Sequence, residues 1–250
     1  MIYKLTLEYD GSGFHGWQAQ PGRRTVEGEV RRALEVVTRQ RSRLVAAGRT
    51  DAGAHALGQV VGVALELAPD LKRLQRSLNG LLPPEIAVVG VEEVAPTFHA
   101  RFSARRRHYR YLVENRGVRP ALLQGRAWHV RPTLDRTAMR AAASALTGRH
   151  DLGQFGKDPA GRSTVRSLER LEIRRVRGDA DGDLIAFHFT ADAFLYGMVR
   201  RMVGFLAEVG LGLRDSGEAA LAAAGETIRP ARVAPACGLY QLRVEYPEVA

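Results

Sequence analysis

Over the first 94 residues the hydrophobic period switches in a fixed order, and few folds accept that order. Ile2–Tyr9 alternates in character and reads as a half-buried strand. Asp10-Gly11-Ser12-Gly13 ends it, and Phe14–Gly22 follows as a loop. Thr25 is placed to cap a helix that runs to about Val37, with Val26, Val30, Ala33, Leu34 and Val37 on one face and Arg23, Arg24, Arg31 and Arg32 at its edges. Arg43–Ala47 and Gln59–Leu67 read as strands. Asp70 starts a second helix through Leu71, Leu74 and Leu78, and Pro83-Pro84 separates it from the strand Ile86–Val94. Strand, helix, strand, strand, helix, strand is the ferredoxin-like pattern, which many RNA-binding folds share.

Between the two middle strands lies Ala47-Gly48-Arg49-Thr50-Asp51-Ala52-Gly53-Ala54-His55-Ala56. Gly48 and Gly53 allow tight or left-handed backbone, so Asp51 can sit at the tip of a loop held by two strands. A plainer reading makes Asp51 a turn cap, since Asp and Gly are common turn residues.

The second half repeats the mixed pattern after a basic hinge, Thr97–Arg107. His108–Glu114 and Ala127–Arg131 read as strands, and Asp135–Leu146 as an alanine-rich helix. Gly148–Ser163 reads as a loop. Val165–Arg177 and Leu184–Thr190 read as strands joined by a turn at Gly178–Gly182. Phe194–Val209 is expected to be helical, Glu218–Ala224 a short helix and Leu239–Tyr246 a closing strand. The expected organisation is therefore α+β, with halves at 1–100 and 101–250.

A net charge of +10 favours a polyanionic partner, nucleic acid before an anionic membrane surface. All of the 37 basic residues except Lys4, Lys72 and Lys157 are arginine, whose planar fork suits phosphates. A genome rich in arginine codons would produce the same excess. Clustering nominates Arg23, Arg24, Arg31, Arg32 and Arg105–Arg107 as phosphate contacts. The single cysteine, Cys237, excludes an internal disulfide. The chain opens straight into a strand, and no apolar run approaches the roughly 20 residues of a membrane span, so a soluble cytoplasmic protein is expected.

Asp10, His15, Asp51 and His55 lack any recognised ligand spacing, so no metal is expected, and His55 reads as a structural hydrogen-bonder behind the loop. Nucleotide-binding glycine motifs and nucleophile elbows are absent. Tyr109 and Tyr111 share one strand face, either as core or as a ring for stacking on a base. Arg200 and Arg201 sit in an apolar helical stretch, where a cation needs a carboxylate partner such as Asp51.

Set side by side, these segments resemble the tRNA pseudouridine synthase A family. The likeness runs through Phe14–Gln20 with Thr25-Val26, the Ala47–Ala56 loop, Leu78-Asn79, Leu82-Pro83, Phe98-His99-Ala100-Arg101, Ser103-Ala104 and Tyr109-Arg110-Tyr111. Phe194–Gly204 and Pro235–Leu239 continue it to the end of the chain. Departures are small: Leu152 where the family often has Phe, Arg201 where bacterial members often have Asn, and Ala54 where Val is common. The resemblance implies two ferredoxin-like (RRM-like) halves with mixed or antiparallel sheets, joined into one pseudouridine synthase fold with a central cleft. It implies isomerisation of uridine to pseudouridine at positions 38, 39 and 40 of the tRNA anticodon arm, without metal or cofactor, by a homodimer. It makes Asp51 the catalytic aspartate, Tyr109 the active-site tyrosine and Arg200 the partner of that aspartate. Arg49 becomes the arginine that assists base flipping. A catalytically silent RNA-binding protein and a metal-dependent phosphoesterase using Asp10, His15 and Asp51 are the competing readings.

Overall fold

A computed structural model describes residues 1–66, 68–158, 160–176 and 183–247. The turn expected at Gly178–Gly182, and the ends at Leu67 and Arg177 of two expected strands, lie outside the described residues. By internal contacts the chain forms two units, Met1–Arg105 with Tyr240–Ala250, and Arg106–Leu239. The sequence boundary at 100/101 places the closing strand with the second half, whereas contact clustering groups Tyr240–Ala250 with the first unit. The architecture is α+β.

In the first unit, β1 (Ile2–Tyr9) is followed by α1 (Val26–Thr38), β2 (Leu44–Ala46), β3 (His55–Ala64), α2 (Leu71–Leu81) and β4 (Ile86–Val94). All partners among these strands are antiparallel: β1 lies between β3 and β4, and β2 pairs with β3. The resulting order, β4-β1-β3-β2, is that of the ferredoxin-like sheet. Alternation along β1 buries Tyr3, Leu5, Leu7 and Tyr9 in one core with Val26, Val30, Ala33 and Leu34 of α1 and Leu74 and Leu78 of α2. Thr25 and Asp70 cap the two helices by accepting from the amides of Gly28 and Arg73.

The strand β3 is apolar on both faces. Val61 and Val63 face the helices, while Val60 packs with Ala47 and Ala100 on the other side, under Phe98, Val244 and Tyr246. Its outer edge is shared, for β2 pairs with Val61–Val63 and β10 (Leu239–Glu245), numbered in chain order, runs parallel to His55 and Ala56. Between those segments, Leu7 pairs with Gln59 but Tyr9 with Ala56, so β3 carries a bulge. The extra residue increases local twist at the base of the Asp51 loop.

In the second unit, β5 (Arg106–Asn115) pairs in parallel with β6 (Trp128–Val130) and antiparallel with β9 (Asp183–Ala191). The sheet continues through β8 (Val165–Val176) to β7 (Gly148–Asp151). Tyr111, Phe187 and Ile173 lie directly opposite one another on a buried face, whereas the neighbouring row is Arg110, His188 and Glu172. The helices are α3 (Arg136–Leu146), α4 (Met198–Gly210) and α5 (Glu218–Ala223), and α3 packs against α4, α5 and β8.

Two sequence expectations are corrected here. The stretch Gly148–Ser163 is not wholly loop, because Gly148–Asp151 forms an edge strand whose polar residues carry no apolar alternation. The expected helix Phe194–Val209 begins only at Met198. Gly197 takes φ +73°, and the Tyr196 amide donates to the Lys157 carbonyl rather than to a helical turn.

The end of α4 is tied down by a charge that the sequence did not single out. The Arg214 side chain is wholly buried (0% exposed) and bonds Glu208 at 3.0 Å, Glu218 at 2.6 Å and the Arg229 carbonyl at 2.9 Å. Its guanidinium lies 5.0 Å from the centre of the Phe205 ring. Removing one partner of a buried ion pair costs about 3–5 kcal/mol. The Arg214→Ala protein is therefore expected to unfold at much lower denaturant concentration, with Arg214→Met losing less; equal midpoints for wild type and Arg214→Ala would contradict this.

Candidate active site

The Asp51 loop is held by the loop that precedes α1. Within it, the Ala54 amide donates to the Asp51 carbonyl at 3.1 Å, and Gly53 takes φ +81° as third residue of that turn. Positive φ at this position defines a type II turn, for which glycine is the natural occupant. Gly53 supplies the left-handed residue; Gly48 is not in that region. On the turn's inner side, Thr50 is buried, its hydroxyl 2.8 Å from the Tyr9 hydroxyl.

The preceding loop lies directly against this turn. The Trp17 amide donates to the Thr50 carbonyl at 3.1 Å and the Gly53 amide to the Phe14 carbonyl at 3.3 Å. Contact is close enough that a Cβ on Gly11 would fall 1.9 Å from the Ala54 oxygen, and one on Gly16 would fall 2.8 Å from the Thr50 oxygen. Buried Phe14 and Trp17 root this loop in the core of the first unit. Burial of such rings supplies the fixed footing that a functional loop requires.

Behind the turn, the His55 Nδ1 accepts from the Gly11 amide at 3.2 Å and has the Asp10 carboxylate at the same distance, while the ring stacks on Tyr240 at 4.6 Å. His55 is thus a brace, as the residues suggested. Among the described residues no group of three or more His, Cys, Asp or Glu side chains is arranged to hold a metal. No helix among them is long and apolar enough to cross a membrane.

Gln59 is a brace that the sequence reading missed. Completely buried, it donates from Nε2 to the Gly48 carbonyl at 2.7 Å, and its Oε1 receives the Val60 amide and the Gln241 Nε2. Its signal was a lone amide inside a valine-rich run; a buried polar group that satisfies its hydrogen bonds fixes the backbone beside it.

The structure places the nominated residues in both units. Asp51, Arg49, Arg23, Arg24 and Arg105 belong to the first, and Tyr109, Arg200 and Arg106 to the second. Tyr109 is buried (8% exposed), with its ring edge-on to Phe194 at 4.9 Å. Arg200 donates from Nε to the Ala234 carbonyl at 2.7 Å, and its own carbonyl receives the Ala234 amide at 3.1 Å. The first bond orients the guanidinium, and the second ties the backbone of α4 to the same residue. Tyr111 stands apart from its neighbour Tyr109. Its hydroxyl donates to the Pro235 carbonyl at 2.6 Å, and burial, reinforced by Cys237, pushes the phenol above its ordinary range. It is a core residue.

The nominated arginines differ in their partners. Arg24 forks onto Glu85, Arg31 binds Glu27, Arg32 binds Glu29 and Arg106 binds Glu169. Arg107 donates to the Asp192 carbonyl, and Arg23 lies 3.4 Å from His15. Arg49 and Arg105 are exposed, and their side chains make no ion pair or hydrogen bond among the described residues.

Comparison with known proteins completes the picture. A family model described as tRNA pseudouridine synthase matches residues 6–103 and 142–247. A tRNA pseudouridine synthase A from Moorella thermoacetica is 43% identical over 246 residues, covering 97% of this chain and 98% of that protein. One from Chromobacterium violaceum is 44% identical over 252 residues, covering 99% and 94%. Among solved structures, the archaeal box H/ACA Nop10–Cbf5 complex aligns with 82% of this chain and 53% of its own at 13% identity and a TM-score of 0.35, too loose a likeness to bear on the site. The sequence matches define an RNA-modifying isomerase. The chain belongs to the tRNA pseudouridine synthase family.

Because Gly11 has no room for a methyl group, Gly11→Ala must displace the Ala54 end of the turn. A shift of about 1 Å in a catalytic group costs on the order of a hundredfold in rate. The expected result is a fall in pseudouridine formation of that order with tRNA binding retained, measured by single-turnover kinetics and filter binding. Wild-type rates in Gly11→Ala would contradict the turn's role.

Proposed function

We propose that this enzyme isomerises uridine at positions 38, 39 and 40 of the tRNA anticodon stem-loop, with Asp51 as its catalytic carboxylate. The reading rests on one observation above the others: Asp51 opens a glycine turn braced by Thr50, Gln59, His55 and the loop before α1. A turn cap needs none of that bracing. A group that must meet a reacting atom within a few tenths of an ångström does.

The chemistry follows from the reaction. The N1–C1′ bond of the target uridine breaks, the uracil turns, and C5 bonds to C1′. The C5 proton is lost and N1 gains one, so atoms and electrons balance with no oxidant, reductant or cosubstrate. Reaching that bond inside a stacked stem requires flipping the nucleotide, at a cost of about a few kcal/mol. Exposed Arg49, two residues before Asp51, fills the vacated space or grips the backbone. Asp51 then attacks ribose C1′ or uracil C6, or removes a proton to give a glycal. In this reading Arg200 is the cation paired with the Asp51 carboxylate, and Tyr109 stacks on the detached uracil and relays a proton. Arg23, Arg24, Arg105 and Arg106 hold phosphates of the stem, with the exposed carboxylate partners of Arg24 and Arg106 giving way at small cost. The working form is a cytoplasmic homodimer in which each tRNA is held by both subunits.

The test uses unmodified tRNA and purified protein with no added metal. Pseudouridine is mapped by carbodiimide labelling and primer extension beside the Asp51→Asn protein. Stops confined to positions 38–40, absent with Asp51→Asn although tRNA still binds, are expected. Turnover by Asp51→Asn would remove Asp51 from the chemistry, and modification elsewhere in the tRNA would overturn the assigned positions.

A further inference from the structure

Three arginines that clustering did not nominate are as free of ties as Arg105. The stretch between α1 and β2 reads Arg39-Gln40-Arg41-Ser42-Arg43. Its even positions hold it to the rest of the unit. The Gln40 Oε1 accepts the Glu66 amide at 3.1 Å, and the Ser42 hydroxyl donates to the Ala64 carbonyl at 3.4 Å. The odd positions, Arg39, Arg41 and Arg43, are all exposed, and among the described residues none of their side chains makes an ion pair or a hydrogen bond. Glu35 and Glu66 touch the stretch through backbone groups, the Glu35 carbonyl accepting the Arg39 amide at 2.9 Å, but among the described residues their carboxylates make no ion pair with its arginines. Three exposed guanidinium groups thus stand at alternate positions of the connection that leads from α1 into β2.

Arg39 carries a second observation. It closes α1 at φ 57°, ψ 24°, and among the described residues it is the only non-glycine with positive φ. Glycine, or failing that asparagine, is the residue that backbone sterics favour there. A positive charge at a helix C-terminus is mildly favourable, but that attraction falls off within the last turn. It accounts neither for the strain of an arginine in this geometry nor for Arg41 and Arg43 beyond it. Residues held in sparsely populated backbone regions cluster at functional sites.

We infer that Arg39, Arg41 and Arg43 form a second phosphate-binding edge, which holds a stretch of tRNA backbone away from the nucleotide being modified. The chain runs directly from this edge through Leu44–Ala46 of β2 to Arg49 and the Asp51 turn. A backbone lying along β2 would meet Arg49 at one end and the three arginines at the other. Unpaired guanidinium groups bind phosphate without first surrendering a carboxylate. The inference rests on tRNA being the substrate and is independent of the role given to Asp51.

The test is kinetic. In a protein carrying Arg39→Gln, Arg41→Gln and Arg43→Gln, KM for full-length tRNA should rise about tenfold with kcat unchanged. The plot of log affinity against log salt should become shallower by about 2 to 3, since each phosphate contact contributes about 0.7–0.9 to the slope. A control triple, Arg162→Gln, Arg170→Gln and Arg174→Gln, removes the same charge from arginines paired with Asp158 and Glu172. An equal rise in KM there would overturn the inference, because net charge alone would explain it. So would an unchanged KM in the first triple, or a fall in kcat without change in KM. Arg39→Gly alone should raise the melting temperature and still weaken tRNA binding. A gain in stability with undiminished binding would leave the arginine at that position without a function and would overturn Arg39's part in the edge.

Discussion

The close approach of two loops is the constraint on which the first unit's site depends. Gly11 and Gly16 bring the chain before α1 so near the Asp51 turn that backbone meets backbone. Amide hydrogen bonds from Trp17 and Gly53 then close the contact. This works only because Phe14 and Trp17 are buried in the helix-facing core, which turns hydrophobic burial into a fixed position for a carboxylate. On the opposite side, buried Gln59 and the β3 bulge hold the loop's other end. The carboxylate is therefore set by buried side chains of the first unit.

A parallel logic operates around Arg200 within the second unit. Its side-chain and backbone bonds to Ala234 tie it to the segment that returns from α5. That segment is fastened in turn where Arg214 bonds the Arg229 carbonyl and Glu208 accepts the Arg232 amide at 3.2 Å. A buried charge cluster of this kind is a poor source of net stability, yet it fixes a chain path well. The orientation of one guanidinium is thereby passed through hydrogen bonds to a cluster in the same unit.

Much of this was legible in the sequence, for identifiable reasons. β1, α1, α2, β4 and α3 are strongly periodic, and three of them open on a capping Thr25, Asp70 or Asp135. Gly53 and Asp51 announced the turn, and His55 its brace. What escaped was long-range or polar. β7 carries no apolar alternation, the start of α4 is set by a bridge to Lys157, and the closing strand joins the first unit from the far end of the chain. Arginine clustering could not reveal which guanidinium groups already have carboxylates. That depends on distances such as Arg24 to Glu85, residues 61 apart in sequence.

The central claim is that the braced Asp51 turn is where the target nucleotide reacts. It is tested most directly by a structure of this protein bound to a tRNA anticodon stem-loop. The account predicts the target uridine turned out of its stack, with its C1′ or uracil C6 in contact with the Asp51 carboxylate. A target uridine still stacked in the stem, or seated against another carboxylate, would contradict it.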